Sequence, residues 1–145
     1  MARIDFAFGA TERITQACQT SLRQYLAGQP LLVYCTDPAR LKSFDLKLWA
    51  VDEAAFVPHV AAHDPLAAQT PIWLVSTDLP EALARAPATA WLLNLDDHCP
   101  PGIENVTRIL EIVSEDDADK TAARERWRIY QAGGHDVKSF RLPTA

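Results

Sequence analysis

The chain has 145 residues, of which 48% are hydrophobic and 23% charged, and this composition is typical of a folded globular domain. Its formal net charge of −5 argues against a protein that binds nucleic acid over much of its surface, because such proteins are usually basic. The three cysteines are widely spaced and form no Cys-x-x-Cys pair, which disfavours a disulfide framework and a zinc site.

Apolar runs of strand length alternate with segments of helical periodicity along most of the chain. The continuous apolar runs predict strands that are buried on both faces. In chain order the pattern predicts a strand at 4–8, a helix ending at Gly28, a strand at 31–35, a helix opened by Asp37 and Pro38, a largely irregular segment up to Pro71, a strand at 72–76, a helix at 79–86, strands at 90–95 and 107–113, a final helix ending at Gly133, and an edge strand at 137–142.

This alternation predicts an α/β fold with a parallel or mixed sheet between two layers of helices, in a single domain over residues 1–145. Thr11 is expected to cap the first helix, and Ser114 with Asp117 resembles a capping box at the start of the last one. The sequence has no apolar leader and no run approaching a membrane span, so we expect a cytoplasmic protein with no membrane partner.

Residues that would support catalysis or cofactor binding are scarce. Only Gly9 follows the first strand, no phosphate-binding glycine motif occurs, and no Gly-x-Ser-x-Gly is present, so we expect no nucleotide and no catalytic site. His59 and His63 are four residues apart, but they lack the glutamate of a metalloprotease motif and an obvious third ligand, so we expect no metal.

The last predicted helix carries an unusual face. Arg124, Trp127 and Arg128 lie three or four residues apart and share one side of the helix, whereas Arg126 falls off that side. Guanidinium groups bind carboxylates and an indole supplies apolar contact, so this face suits an acidic peptide, with Val113 as an apolar wall. Alternatively, the aromatic residues belong to the core and the arginines pair with nearby acids.

A second candidate surface lies in the segment after the second helix. Trp49 and Phe56 are large apolar residues in a stretch whose prolines and acidic residues indicate a surface connection. Displayed together, they would form a hot-spot pair for a protein partner. The alternative is that both cover the edge of the core where the helix meets the loop.

The "LW" at Leu48–Trp49, the "FVPH" that follows it, and the late "ARERWRIYQAGG" resemble the chi subunit of bacterial DNA polymerase III, a member of the clamp-loader assembly. The length and the order of elements also match this family. Two positions depart from the family pattern: Trp127 stands where a tyrosine is familiar, and Arg128 stands where a lysine is. Both changes keep an aromatic ring and a cation.

The resemblance implies a Rossmann-like sheet without a nucleotide, and an accessory subunit with no catalytic site of its own that contacts DNA only indirectly. It implies binding to the psi subunit of the clamp-loader complex through Trp49 and Phe56, a surface for which a DNA helicase is a competing candidate. It also implies that Val113, Arg124, Trp127 and Arg128 bind the acidic, phenylalanine-terminated C-terminal tail of single-stranded DNA-binding protein.

Two hypotheses from other classes remain open at this stage. A nucleotide- or flavin-binding α/β enzyme is the first, and the missing glycine-rich loop counts against it. The second is direct binding of single-stranded nucleic acid through Arg124, Arg126 and Arg128, and the acidic net charge disfavours it.

Overall fold

The computed structural model describes residues 2–52, 54 and 56–143, and this part of the chain contains seven strands and four α-helices. A short 3-10 turn also precedes the fourth strand, at Ala67–Gln69. The strands are β1 (Arg3–Ala10), β2 (Leu31–Tyr34), β3 (His59–Ala61), β4 (Ile72–Val75), β5 (Trp91–Asn94), β6 (Arg108–Ser114) and β7 (Asp136–Arg141), and the helices are α1 (Arg13–Leu26), α2 (Pro38–Trp49), α3 (Leu79–Arg85) and α4 (Asp117–Ala132).

The strands form one sheet in the order β3-β4-β2-β5-β6-β1-β7, and every pairing among the described residues is parallel. The central strands β2, β4 and β5 are almost wholly buried, as continuous apolar runs predict for strands covered on both faces. One face packs against α1 and α2 and the other against α3 and α4. The expected three-layer α/β fold with a mostly parallel sheet is therefore confirmed.

The sheet contains one strand that the sequence did not predict. β3 lies in the segment expected to be irregular and pairs with β4 through three residues, with His59 opposite Ile72. A three-residue strand is too short to show alternation, so only its tertiary pairing identifies it. The predicted edge strand is confirmed as β7, which pairs with β1.

No helix among residues 2–52, 54 and 56–143 is both long enough and apolar enough to cross a bilayer.

Candidate functional site

Helix α4 begins directly after β6 and is held there by polar contacts at its first turn. Asp116 is the N-cap and accepts a hydrogen bond from the Ala118 amide (3.3 Å), while the Asp119 carboxylate accepts one from the Ser114 amide (2.7 Å). The predicted cap at Ser114 was therefore wrong, since the helix starts two residues later. Acidic side chains at this end also stabilise the helix, because their negative charge lies next to the positive pole of the helix dipole.

A buried ion pair fixes the rotation of α4 about its axis. Arg126 is only 1% exposed, its Nε donates to Glu111 Oε1 of β6 (3.1 Å), and its Nη1 donates to the Asp97 carbonyl (3.1 Å). Tyr130, one turn later, donates its hydroxyl to Glu111 Oε2 (2.7 Å). Burial, reinforced by the charge of Glu111, raises the pKa of Tyr130, so its hydroxyl stays a donor. Arg126 and Tyr130 thus face the sheet, which turns Arg128 and Ile129 outward and leaves Trp127 half-buried at the edge of the helix–sheet contact.

The burial of Arg126 also bears on the hypothesis of direct nucleic-acid binding through three arginines of this helix. A side chain enclosed by β6 and the loop after β5 cannot reach a phosphate backbone without breaking its bond to Glu111. Two of the three arginines are left for that role, on a protein of net charge −5.

A cavity of about 370 Å³ opens beside α4, between this helix and the ends of β1, β6 and β7. Its size is within the range of small-ligand sites. The Trp127 ring packs against the Phe6 ring with their centroids 5.2 Å apart, and both rings line the cavity. The remaining apolar lining comes from Phe8, Val113 and Ala123.

The polar lining of the cavity carries more positive than negative charge. Lys120, Arg124 and Arg141 supply cations, and Glu115 supplies a carboxylate. The Arg141 guanidinium also lies over the Phe8 ring, 5.6 Å from its centroid. An apolar floor beside several cations is suited to a ligand with a hydrophobic side chain and negative charges.

The structure brings three of the four predicted tail-binding residues into this cavity: Val113, Arg124 and Trp127. Arg128 does not line it. Its side chain is 73% exposed and pairs with Glu125 (3.0 Å), one helical turn beyond Arg124 on the same helix. It therefore lies on the exposed surface of α4 and is not part of the cavity wall.

The sequence interpretation missed the other cations of the cavity. Lys120 precedes Arg124 by four residues, so helical spacing alone would have placed it on the same face. Arg141 and Phe8 are paired across β7 and β1, a register that the sequence does not specify. Phe6 and Phe8 share one face of β1, and α4 packs on that face.

The second predicted surface lies at the end of α2. Trp49 and Phe56 are both exposed, and their rings contact each other with centroids 5.1 Å apart. The Trp49 ring also packs against the His59 ring in a tilted arrangement, with 4.2 Å between their centroids. His59 is buried and held at both nitrogens, by the Val57 carbonyl (2.8 Å) and by Asp45 Oδ1 (2.6 Å). The exposed pair therefore rests on a rigid base.

Of the two histidines considered as metal ligands, one is part of this base and the other follows β3. His59 makes ordinary hydrogen bonds from β3, and His63 follows that strand. Within the part of the chain that the structure describes, no group of three or more His, Cys, Asp or Glu side chains is placed to hold a metal ion.

The sequence matches known proteins over nearly its whole length. Residues 1–138 match the family model described as DNA polymerase III chi subunit, HolC. A protein of Pseudomonas aeruginosa named DNA polymerase III subunit chi is 29% identical over 149 residues, covering 99% of each chain. Proteins of the same name from Haemophilus influenzae and Escherichia coli are 29% and 23% identical, covering 85% and 84% of this chain and 83% and 80% of their own.

Proposed function

Because this chain belongs to the family of DNA polymerase III chi subunits, we propose that it is a non-catalytic accessory subunit of the DNA polymerase III holoenzyme. In this role it links the clamp-loader complex, through the psi subunit, to the C-terminal tail of single-stranded DNA-binding protein. Its place of action is the cytoplasm, where DNA replication occurs in bacteria.

The cavity beside α4 carries the proposal. A tail that is acidic and ends in phenylalanine has an apolar ring, a terminal carboxylate and further negative charges. The floor formed by Phe6, Val113 and Trp127 accepts the ring, and Arg124 lies beside it to bind the terminal carboxylate. Lys120 and Arg141 then attract the acidic residues that precede it.

A short peptide in a small cavity is expected to bind modestly. We expect micromolar binding for a few residues of tail in this cavity of about 370 Å³, which corresponds to about 8 kcal/mol. Single-stranded DNA coated with many copies of the tail would then hold the clamp loader through several weak contacts at once. Weak individual contacts also allow rapid release as the replicase moves.

The Trp49–Phe56 surface supports the second half of the proposal, the contact with psi. Two exposed aromatic rings in mutual contact, on a base fixed by His59, form a compact apolar patch of the kind that anchors a protein partner. This surface and the cavity lie on opposite sides of the sheet, since α2 and α4 cover different faces. One subunit can therefore hold both partners at the same time. A helicase is a competing candidate for the same patch.

The tail site is tested by calorimetric titration with an acidic peptide that ends in Pro-Phe. We expect micromolar binding that is lost when the peptide carboxylate is amidated and that weakens at least tenfold in Arg124→Ala, because a charge-assisted pair is removed. Arg23→Ala, an exposed cation on α1 across the sheet, is the matched control and should bind normally. Equal binding of free and amidated peptide would contradict the assignment.

The psi site is tested by size-exclusion chromatography of the protein with purified psi subunit. We expect Trp49→Ala and Phe56→Ala each to weaken the complex, because each removes one ring of the contact pair. Leu26→Ala removes an exposed apolar side chain from α1 and should leave the complex intact. A complex that survives both aromatic substitutions would place psi elsewhere.

A further inference from the structure

Among the described residues that line the cavity, Glu115 is the one acidic residue, and it already contacts two of the three cations found there. Its Oε2 lies 3.1 Å from Lys120 Nζ, and its Oε1 lies 3.7 Å from Arg141 Nη2. Arg124, by contrast, forms no ion pair with any carboxylate of the described residues 2–52, 54 and 56–143. The cations of the cavity thus differ in how available they are to a ligand.

The backbone holds Glu115 in this place. Its amide donates to the Ala10 carbonyl (3.0 Å), at the point where the register between β1 and β6 shifts. Gly9 lies at this irregularity with φ of 87°, a left-handed conformation that favours glycine. A side-chain carbon on Gly9 would stand 3.5 Å from both Glu115 Oε1 and the Arg141 Cζ. That is ordinary van der Waals contact, so the left-handed backbone conformation, and not the lack of space, favours glycine at this position.

We propose that Glu115 is an internal competitor for the cavity: its carboxylate occupies the Lys120–Arg141 cation pair until a carboxylate of the incoming peptide displaces it. This inference rests on the proposed function, because the displacing ligand is the acidic tail. The terminal carboxylate binds first at the unpaired Arg124. A second carboxylate, from an acidic residue before the end of the tail, then replaces Glu115.

The exposure of the groups makes such displacement feasible. The side chains of Glu115, Lys120 and Arg141 are 49%, 37% and 59% exposed, respectively. Ion pairs at this level of exposure are weak, so a ligand carboxylate can exchange with the internal one at little cost. The same weakness limits the effect: removing the competitor should tighten binding by about three- to tenfold and no more.

Competition by Glu115 also affects which peptides the cavity binds. A peptide with a single carboxylate can bind Arg124 but cannot compensate for loss of the Glu115 contacts, so it gains little from Lys120 and Arg141. A peptide with several acidic residues gains from all three cations. Because only the strongly acidic peptide must displace Glu115, the competitor lowers the advantage of strongly acidic tails over peptides that merely end in phenylalanine.

The test compares Glu115→Gln with Glu125→Gln in titrations with the acidic Pro-Phe peptide. Glu125 is the matched control, since it is an exposed carboxylate of α4 that pairs with Arg128 and does not line the cavity. We expect Glu115→Gln to bind about three- to tenfold more tightly than the unmodified protein, and Glu125→Gln to change the affinity less than twofold. Equal gains in both variants, or no gain in Glu115→Gln, would overturn the competitor role.

A Lys120→Met background separates competition from simple repulsion between Glu115 and the tail. If Glu115 acts by occupying its cation partners, the gain from Glu115→Gln shrinks when Lys120 is absent. If the gain is undiminished, Glu115 acts by repulsion and the proposal fails. Absence of binding in the unmodified protein and in Glu115→Gln alike would instead refute the tail site itself.

Discussion

Replacing Arg126 by methionine tests whether the buried ion pair holds α4 in place. Methionine keeps much of the length and apolar volume of the side chain but leaves Glu111 buried without its main counter-ion. Removing one partner of a buried pair costs about 3–5 kcal/mol. Tyr130 and Asn94 still donate to Glu111, at 2.7 and 2.8 Å, and Arg13 Nη2 lies 3.7 Å away. We therefore expect a loss near the lower limit, about 3 kcal/mol of the free energy of unfolding.

Urea denaturation followed by circular dichroism measures this loss. Arg128→Met makes the same chemical change two residues away, on an exposed side chain paired with Glu125, and should cost less than about 1 kcal/mol. For an m-value near 2 kcal/mol per M, the Arg126→Met midpoint falls by about 1.5 M urea. Similar midpoints for the two variants, or a loss below about 1 kcal/mol for Arg126→Met, would refute the anchoring role.

Three further predictions concern residues around the cavity and the core. Tyr130→Phe removes a hydroxyl that donates to a charged, buried acceptor, so urea denaturation should show a loss of about 1.5–3 kcal/mol in the free energy of unfolding. An unchanged midpoint would contradict a stabilising hydrogen bond at this position. Trp127→Ala removes the ring that packs on Phe6, and calorimetry should show at least a tenfold loss of peptide affinity while the circular dichroism spectrum remains native. An unchanged affinity would exclude the cavity as the peptide-binding site. Burial raises the pKa of the Cys18 thiol to about 12, so the folded state keeps a proton that the unfolded chain releases above about pH 9. The free energy of unfolding should therefore fall as pH rises from 9 to 11, by at most about 1.4 kcal/mol per pH unit for this thiol, and less steeply in Cys18→Ala. Identical slopes for the two proteins would contradict this assignment.

Local sequence patterns were sufficient to predict most of the fold. The apolar runs of β2, β4 and β5 lie in the middle of a parallel sheet, where burial on both faces demands such composition. The start of α2 was also predicted correctly, because Asp37 followed by Pro38 is a strong local signal; the Asp37 carboxylate accepts from the Ala39 amide at 3.0 Å.

Caps without such a signal were predicted less well. Thr11 was expected to cap α1, but the helix begins after Glu12, and no side chain caps it. Ser114 proved to be the last residue of β6, which places the N-cap of α4 at Asp116. Ser114 is paired with Ala10 in the sheet, and this tertiary constraint overrides its local preference for a cap. The start of α1 differs from the prediction by one residue, which is common at helix ends.

Helical spacing predicted part of the candidate site because Arg124 and Trp127 lie on one face of one helix. It could not predict Arg141 or Phe8, which reach the cavity only through the pairing of β1 with β7. The burial of Arg126 was equally hidden, since an arginine in a polar helix is normally exposed and its partner Glu111 lies on β6. Contacts between elements distant in sequence therefore account for what the pattern missed.

The most direct test of the tail site is nuclear magnetic resonance of the ¹⁵N-labelled protein titrated with the acidic Pro-Phe peptide. The account predicts that the largest shifts fall on the Trp127 indole and on the backbone amides of Val113, Lys120, Arg124 and Arg141, with Trp49 unchanged. Shifts centred on Trp49 and Phe56, or no shifts at millimolar peptide, would contradict it.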